Sequence, residues 1–443
     1  MKKTRKLFPI LLLTGLLTLS GCSLFNDDDI AISNSYEPKT SQSEEEDPDA
    51  VYARGVKATT RKETGEDVLY FKSICYAENE TIVNTYKEGG INHVEYNVNG
   101  GEDYYGNRSN NNYDLYVPNS ASRTNKRTVI LFIHGGAWIS GFKMHVNPYV
   151  QEFAKRGYIT ATIKYTLLKK AMNDSSLSIF RDLDEIDACI ASIKAALEED
   201  LGFSADDTDI VIGGASSGSH LAMLYSYSRG VRSPLPIKFL VNAVGPVNIK
   251  PECWKTFKHG AGEEGEAAYQ ALLEAGIEYD TIQTQQSAGN IYSLNIAGFQ
   301  DPIIYWDEYQ TMRIANGMCG IPYSLEDVEA SANAEKTAIE NPNPASNSMT
   351  KPDGGEDQLS VTYWLNSAPT KYPMICAYAG NDHVVGINQF ATLQHAMESN
   401  AMVKGTDYEF FYFPNSEHDQ ITSAANPEVY SEFIGKIATW LEA

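Results

Sequence analysis

Positive charge, cysteine and long apolar runs are all scarce in this chain, and each shortage closes off a class of function. Lys and Arg number 35 against 58 Asp and Glu, a net charge of −23. A surface of that sign repels the phosphate backbone that nucleic-acid-binding proteins must neutralise, so nucleic acid is set aside as a partner. Six cysteines lie at positions 22, 75, 189, 253, 319 and 376 without C-x-x-C spacing, and neither a metal site nor a disulfide framework is legible in them. The mostly apolar stretch Leu7 to Leu19 has 13 residues, short of the roughly 20 that span a bilayer. No internal repeat is present. Material for a core is plentiful, since 42% of the residues are hydrophobic and 11% aromatic, as in globular proteins. At about 150 residues per domain the 443 residues suggest two or three units, and one large α/β domain with insertions fits equally well.

The N-terminus reads as an address. Met1 to Lys6 is basic, and the following run, broken by Pro9, Thr14 and Gly15, has the length of a secretory h-region. Leu19-Ser20-Gly21-Cys22 comes next and resembles the lipobox of bacterial lipoproteins, whose cysteine is lipidated and becomes the first residue after cleavage. The resemblance implies a signal peptide over 1–21, a lipid anchor on Cys22 and an extracytoplasmic position at the cell membrane or outer envelope. An ordinary signal peptide with a chance cysteine is the alternative. Removal of the leader takes four basic residues and no acid, leaving 31 − 58 = −27. From Asn26 to Ala50 there are nine acids and one Lys, with few large apolar groups. Such a stretch cannot bury enough surface to fold and repels itself into an extended form, so 22–50 reads as a disordered stalk. A tail for a basic partner is the alternative. Beyond Cys22 the cysteines are odd in number and allow at most two disulfides; Cys189, in a helical pattern, and Cys376, in an apolar run, read as buried thiols.

Strands and helices alternate through the body. Ile91–Asn97 and Tyr113–Val117 alternate apolar and polar residues and suggest an antiparallel hairpin. Six short apolar runs follow, Thr128–Ile133, Tyr158–Ile163, Asp209–Ile212, Lys238–Val244, Pro373–Ala379 and Tyr408–Phe413, as parallel strands covered on both faces require. Leu183, Ile186, Ile190, Ile193 and Leu197 recur at helical spacing, as do Tyr430, Phe433, Ile434, Ile437 and Leu441 behind Asn426 as cap and Pro427 as first residue. The pattern predicts a doubly wound, mostly parallel α/β sheet. Its core is built from 51–250 and 373–443 around a cap insertion at 251–372, with helical candidates at Glu264–Gly276 and Leu325–Glu340 and a flexible polar segment near 341–357.

Two motifs stand at strand ends. Gly214-Ala215-Ser216-Ser217-Gly218 spells G-x-S-x-G between a strand and a helix, where small residues permit the sharp turn that puts a serine at its apex. His134-Gly135-Gly136-Ala137-Trp138 follows the Thr128 strand, and adjacent glycines there leave room for an oxyanion to approach backbone N–H groups. Together, in this order and about 80 residues apart, these segments resemble the α/β-hydrolase family, in particular its esterases of the hormone-sensitive-lipase and bacterial-carboxylesterase kind. The resemblance spans roughly Asn92 to Ala443 apart from the cap and implies an α/β-hydrolase fold. It makes Ser216 the nucleophile and the N–H groups of Gly135, Gly136 and Ser217 the oxyanion hole. His134 reads as a structural hydrogen-bonding residue of the loop rather than a base. His220, on the same helical face as Ser216, packs or hydrogen-bonds behind it.

Triad partners in this fold follow in the order serine, acid, histidine. Gly380-Asn381-Asp382-His383-Val384-Val385 after the Pro373 strand supplies Asp382, and Pro414-Asn415-Ser416-Glu417-His418 after the Tyr408 strand supplies His418. Glu417 or Asp419 as acid and His383 as base compete, although neighbours in sequence orient each other's rings poorly. His418 would act as general base and Asp382 would fix its tautomer, with an acyl-enzyme on Ser216 and no cofactor or metal. Ser217 and Ser219 replace the Ala and Gly common in these esterases, and Ala215 replaces a frequent Glu or Asp.

The insertion is rich in aromatics, with Trp254, Tyr292, Tyr305, Trp306, Tyr309, Tyr323, Tyr363 and Trp364. They either line a cleft for sugar rings or aromatic acyl groups or form the cap's own core. The expectation is a lipid-anchored serine carboxylesterase acting on small esters or on acetylated or feruloylated carbohydrate, in contact with the membrane through its anchor alone. A peptidase or amidase with the same triad and a non-catalytic binding protein on this fold are the alternatives.

Overall fold

Strand residues that point alternately to two faces demand two layers of cover, and the chain supplies both. The structure, a computed structural model, describes residues 50–61, 67–76, 111–121, 127–138, 141–167, 179–204, 207–248, 359–380, 382, 385, 388–414, 416–419, 421–422 and 424–443. In chain order these form the ribbon β1 (Tyr52–Ala53) and β2 (Val56–Lys57), then β3 (Thr59–Arg61), β4 (Val68–Cys75), β5 (Asn112–Pro118), β6 (Arg127–Ile133), α1 (Asn147–Ala154), β7 (Ile159–Lys164) and α2 (Ile179–Ala195). They continue with β8 (Thr208–Ala215), α3 (Ser217–Arg229), β9 (Ile237–Ala243), α4 (Val361–Ser367), β10 (Met374–Ala379), α5 (Asn388–Ser399), β11 (Tyr408–Phe413) and α6 (Pro427–Glu442).

Strands β3 to β11 make one nine-stranded sheet in the order β11-β10-β9-β8-β6-β7-β5-β4-β3. The six from β6 to β11 are parallel and are the six apolar runs of the sequence. Ile130 and Phe132 of β6 pack with Val211, Val241 and the inner faces of α1 and α6, Phe153, Phe433 and Ile437 among them. The intervening Leu131 and Ile133 face Ile212, Leu240 and the apolar stripes of α2 and α3. Parallel strands thus read as continuous apolar runs because both faces are buried. This is the α/β-hydrolase fold. Cys189 and Cys376 are buried free thiols. Among the described residues no helix is long and apolar enough to cross a membrane.

Of the hairpin expected between 91–97 and Tyr113–Val117, the first half lies outside the described residues and the second is corrected, because both edges of β5 are taken, by β4 and by β7, each antiparallel. The alternation that suggested a half-exposed strand is also misleading, since all of β5 is buried. Asp114 tolerates that position through three partners: Lys143 Nζ at 2.7 Å, the Ser73 N–H at 2.7 Å and the Tyr70 hydroxyl at 3.0 Å. Ser73 stands at a bulge in β4 with φ 58, which turns its N–H toward the carboxylate.

The described chain stops at Asn248 and resumes at Leu359, and the two ends are bonded to each other and to α5. Val361 N–H donates to Val247 O at 2.8 Å, the Ser360 hydroxyl to Asn248 Oδ1 at 3.1 Å, and Gln389 Oε1 accepts the N–H groups of Val247 and Asn248 at 2.8 and 2.9 Å. Val361 and Leu365 of α4 belong to the core, so the chain returns to it ahead of the boundary at 372 that the sequence suggests. The rest of the cap, with both helical candidates, the segment 341–357 and its aromatics other than Tyr363 and Trp364, lies outside the described residues, as do 1–49 with Cys22 and the stalk.

Removing one member of a buried charge pair strands the other, so Asp114→Ala should cost about 3–5 kcal/mol in urea unfolding. The double variant Asp114→Ala/Lys143→Met should regain part of that, whereas strictly additive losses would show that the pair is not coupled.

Candidate active site

The turn from β8 into α3 holds Ser216 at φ 54 and ψ −126. A non-glycine residue there carries strain on the order of 1–3 kcal/mol and persists only where its surroundings over-determine it. Here they do. Ser216 N–H donates to Ala243 O at 2.8 Å, and its carbonyl receives the His220 N–H at 3.1 Å. The helix also arrives too close for side chains: a Cβ on Gly214 would stand 2.4 Å from the Gly218 carbonyl carbon, and one on Gly218 would stand 2.1 Å from Ile133 O. Beneath the turn, the Ser219 hydroxyl donates to Gly214 O at 2.5 Å and accepts the Ala243 N–H at 2.9 Å. The serine that departs from the usual glycine therefore bolts α3 to the ends of β8 and β9.

His418 arrives on the loop after β11. That loop is tied down by Tyr149, whose hydroxyl donates to Ile421 O at 2.9 Å, and by Asn426, whose amide donates to Ser416 Oγ at 2.7 Å. Asn426 occupies the cap position of α6 as expected, but its side chain makes no cap bond and braces the histidine loop instead. His418 Nε2 lies 2.8 Å from Ser216 Oγ, and Nδ1 lies 2.7 Å from Asp382 Oδ2. Asp382, at the end of the turn after β10, also accepts the Val385 N–H on Oδ1 at 2.8 Å. Because a carboxylate only accepts, Nδ1 carries the proton and Nε2 receives the serine O–H. Burial alone would lower the His418 pKa, but the charge and hydrogen bond of Asp382, with a contribution from Asp419, outweigh it and raise the group above 6.5. With both ring nitrogens engaged, neither Glu417 nor Asp419 orients the ring; His383 lies outside the described residues.

The segment after β6 abuts this group. A Cβ on Gly135 would stand 2.9 Å from the Ser216 Cβ. Gly136, Ala137 and Trp138 follow at φ 127, 52 and 64, three left-handed residues in succession. Ser217 opens α3, so its N–H has no acceptor within the helix. His134 is buried, stacked on Tyr165 with ring centroids 4.4 Å apart, and donates from Nδ1 to Gly135 O at 2.9 Å. Burial pushes its pKa down to about 3, leaving it neutral. His220 is likewise buried, with its pKa pushed down to about 4, again by burial foremost. Its Nδ1 accepts the Trp138 Nε1–H at 3.2 Å and its Nε2 donates to Leu359 O at 2.7 Å. Trp138 and Ser219 are the residues whose parts sequence reasoning does not assign; the indole after His-Gly-Gly-Ala is a visible signal, its partner is not. Among the described residues no group of three His, Cys, Asp or Glu is arranged to hold a metal ion.

Residues 113–288 match the BD-FAE family, an α/β-hydrolase esterase family; the match includes both glycine motifs and ends before Asp382 and His418. The chain is 29% identical over 118 residues to a probable isoprenylcysteine alpha-carbonyl methylesterase of Arabidopsis thaliana, 27% of this chain and 22% of that one. It is 25% identical over 150 residues to a non-reducing polyketide synthase of Preussia isomera, 32% of this chain and 6% of that one. The chain thus spans less than a quarter of the length of either relative. Among solved structures, a truncated form of a carbohydrate esterase from gut microbiota is similar with a TM-score of 0.49 and 12% identity, covering 87% of this chain and all of that one.

In NMR titration the His418 imidazole should show a midpoint above 6.5, moving down in Asp382→Asn because the raising charge is lost while burial remains. An unchanged midpoint in that variant would separate the two side chains in solution.

Proposed function

We propose that this chain is a serine carboxylesterase that forms an acyl-enzyme on Ser216, anchored by a lipid on Cys22 outside the cytoplasm. The observation that carries the reading is the hydrogen-bonded series Asp382, His418, Ser216 on a strained strand-to-helix turn. The esterase family match over 113–288 supports ester chemistry. The lipobox-like Leu19-Ser20-Gly21-Cys22 supports the anchor.

In this reading His418 Nε2 takes the Ser216 hydroxyl proton as Oγ attacks the ester carbonyl carbon. The tetrahedral oxyanion is received by the N–H groups of Gly135, Gly136 and Ser217, and Asp382 stabilises the imidazolium through Nδ1–H. The imidazolium returns the proton to the departing alkoxide, which leaves as the alcohol. Water, deprotonated by the same Nε2, then attacks the acyl-enzyme, and the acid departs as Ser216 regains its proton. The substrates are small carboxylic esters or acetyl- or feruloyl-type esters of carbohydrate, which an enzyme tethered at the envelope meets first.

Hydrolysis of p-nitrophenyl acetate, butyrate and octanoate by the fragment beginning near Ala50 tests this directly. Ser216→Ala should abolish turnover, and Asp382→Asn should lower kcat by about 10⁴. Only neutral His418 accepts the proton, and its pKa is raised, so kcat/KM should fall with decreasing pH through a midpoint above 6.5. Equal activity of wild type and Ser216→Ala would remove the nucleophile, and cleavage of anilides in preference to esters would favour a peptidase.

A further inference from the structure

We propose that His220 is a positioning residue that sets the oxyanion-binding loop through Trp138. The inference rests on the esterase reading and adds to it a part of the machinery that touches neither substrate nor reacting atoms.

The loop His134 to Trp138 has a conformation that its own sequence does not favour. Ala137 and Trp138 both lie at positive φ, 52 and 64, immediately after Gly136 at φ 127. L-residues in that region revert to extended or right-handed backbone unless something outside the segment opposes it. The Trp138 side chain holds the far end of the loop, as the stacking of His134 on Tyr165 holds its start: it is 2% exposed, stands edge-on to the His220 ring at 5.2 Å, and gives its single N–H to His220 Nδ1. His220 is itself fixed at three points. Its backbone N–H is bonded to Ser216 O, its Nε2–H to Leu359 O, and its ring is fully buried. A carbonyl can only accept, so Nε2 must carry the proton and Nδ1 must present its lone pair to the indole. Only the neutral ring in this tautomer satisfies both neighbours, and burial keeps the ring neutral through the range in which His418 is the working base.

One side chain therefore references the oxyanion loop to the backbone of the nucleophile one helical turn away and to the backbone of Leu359 ahead of α4. Displacing donors by a fraction of an ångström weakens their hold on an oxyanion more than on a ground-state carbonyl, which lowers kcat and leaves KM nearly unchanged.

The test compares wild type, Ser216→Ala, Trp138→Phe, His220→Leu and His220→Gln on an aryl butyrate and on its thiono analogue, whose sulfur is a weak hydrogen-bond acceptor and gains little from such donors. Trp138→Phe keeps an aromatic ring and removes the donor together with part of the indole's volume, so the comparison of ester with thionoester separates the two losses even where His220→Leu does not fold. Trp138→Phe and His220→Leu should lower kcat on the ester by about 10- to 100-fold with KM within about twofold, and should lower the rate on the thionoester much less. Gln offers one acceptor and one donor and should recover most of the loss. Wild-type kcat in a folded Trp138→Phe, losses of equal size on ester and thionoester, or a Gln variant no better than Leu would each overturn the inference. Wild-type turnover that does not depend on Ser216 would instead strike the esterase reading, and the inference with it.

Discussion

The site depends on one steric condition, the approach of α3 to the carboxyl ends of β6 and β8 at less than the thickness of a side chain. Gly218 meets Ile133 O and Gly214 meets Gly218, and neither contact survives a Cβ. From that approach follows the left-handed Ser216, the projection of its hydroxyl beyond the sheet, and the nearness of Gly135 to the same point. Parallel strands end at a common edge, so β6, β8, β10 and β11 each deliver their following loop to it. Glycine motif, serine, acid and histidine meet because strand ends meet, although His418 is 202 residues from Ser216 in sequence.

Three histidines near this edge show how environment divides one chemistry. Among the described residues no carboxylate acts on the ring of His134 or His220, and burial holds both neutral. His418 is faced by Asp382 and keeps part of its surface open, its side chain being 22% exposed. Of the three, it alone gains a proton at moderate cost and can pass it on. The same reasoning explains Asp114 of β5, where a carboxylate is kept in the interior by an ammonium, a hydroxyl and a backbone N–H.

Much of this was legible in the residues, because parallel strands leave continuous apolar runs and because glycine is compulsory where backbones touch. All six parallel strands and the apolar stripes of α2 and α6 fall where their periodicity puts them. The antiparallel edge was misread for a physical reason: the Asp114 side chain looks solvent-facing until Lys143, 29 residues later, is seen beside it. Asn426 shows the same limit at a helix end, since its cap position is readable and its bond to Ser416 is not. Nor does any local pattern join Trp138 to His220 or Leu359, which lie 82 and 221 residues further along the chain and meet only in the folded interior.

The stitching of Val247 and Asn248 to Ser360, Val361 and Gln389 has a consequence for how such a protein changes over time. The two ends of residues 249–358 are held side by side by bonds that belong to the core. The entropic penalty for closing a loop between fixed ends grows only with the logarithm of its length. The number of residues between these two held ends can therefore grow or shrink over generations at little cost to the hydrogen bonds that hold serine, histidine and aspartate.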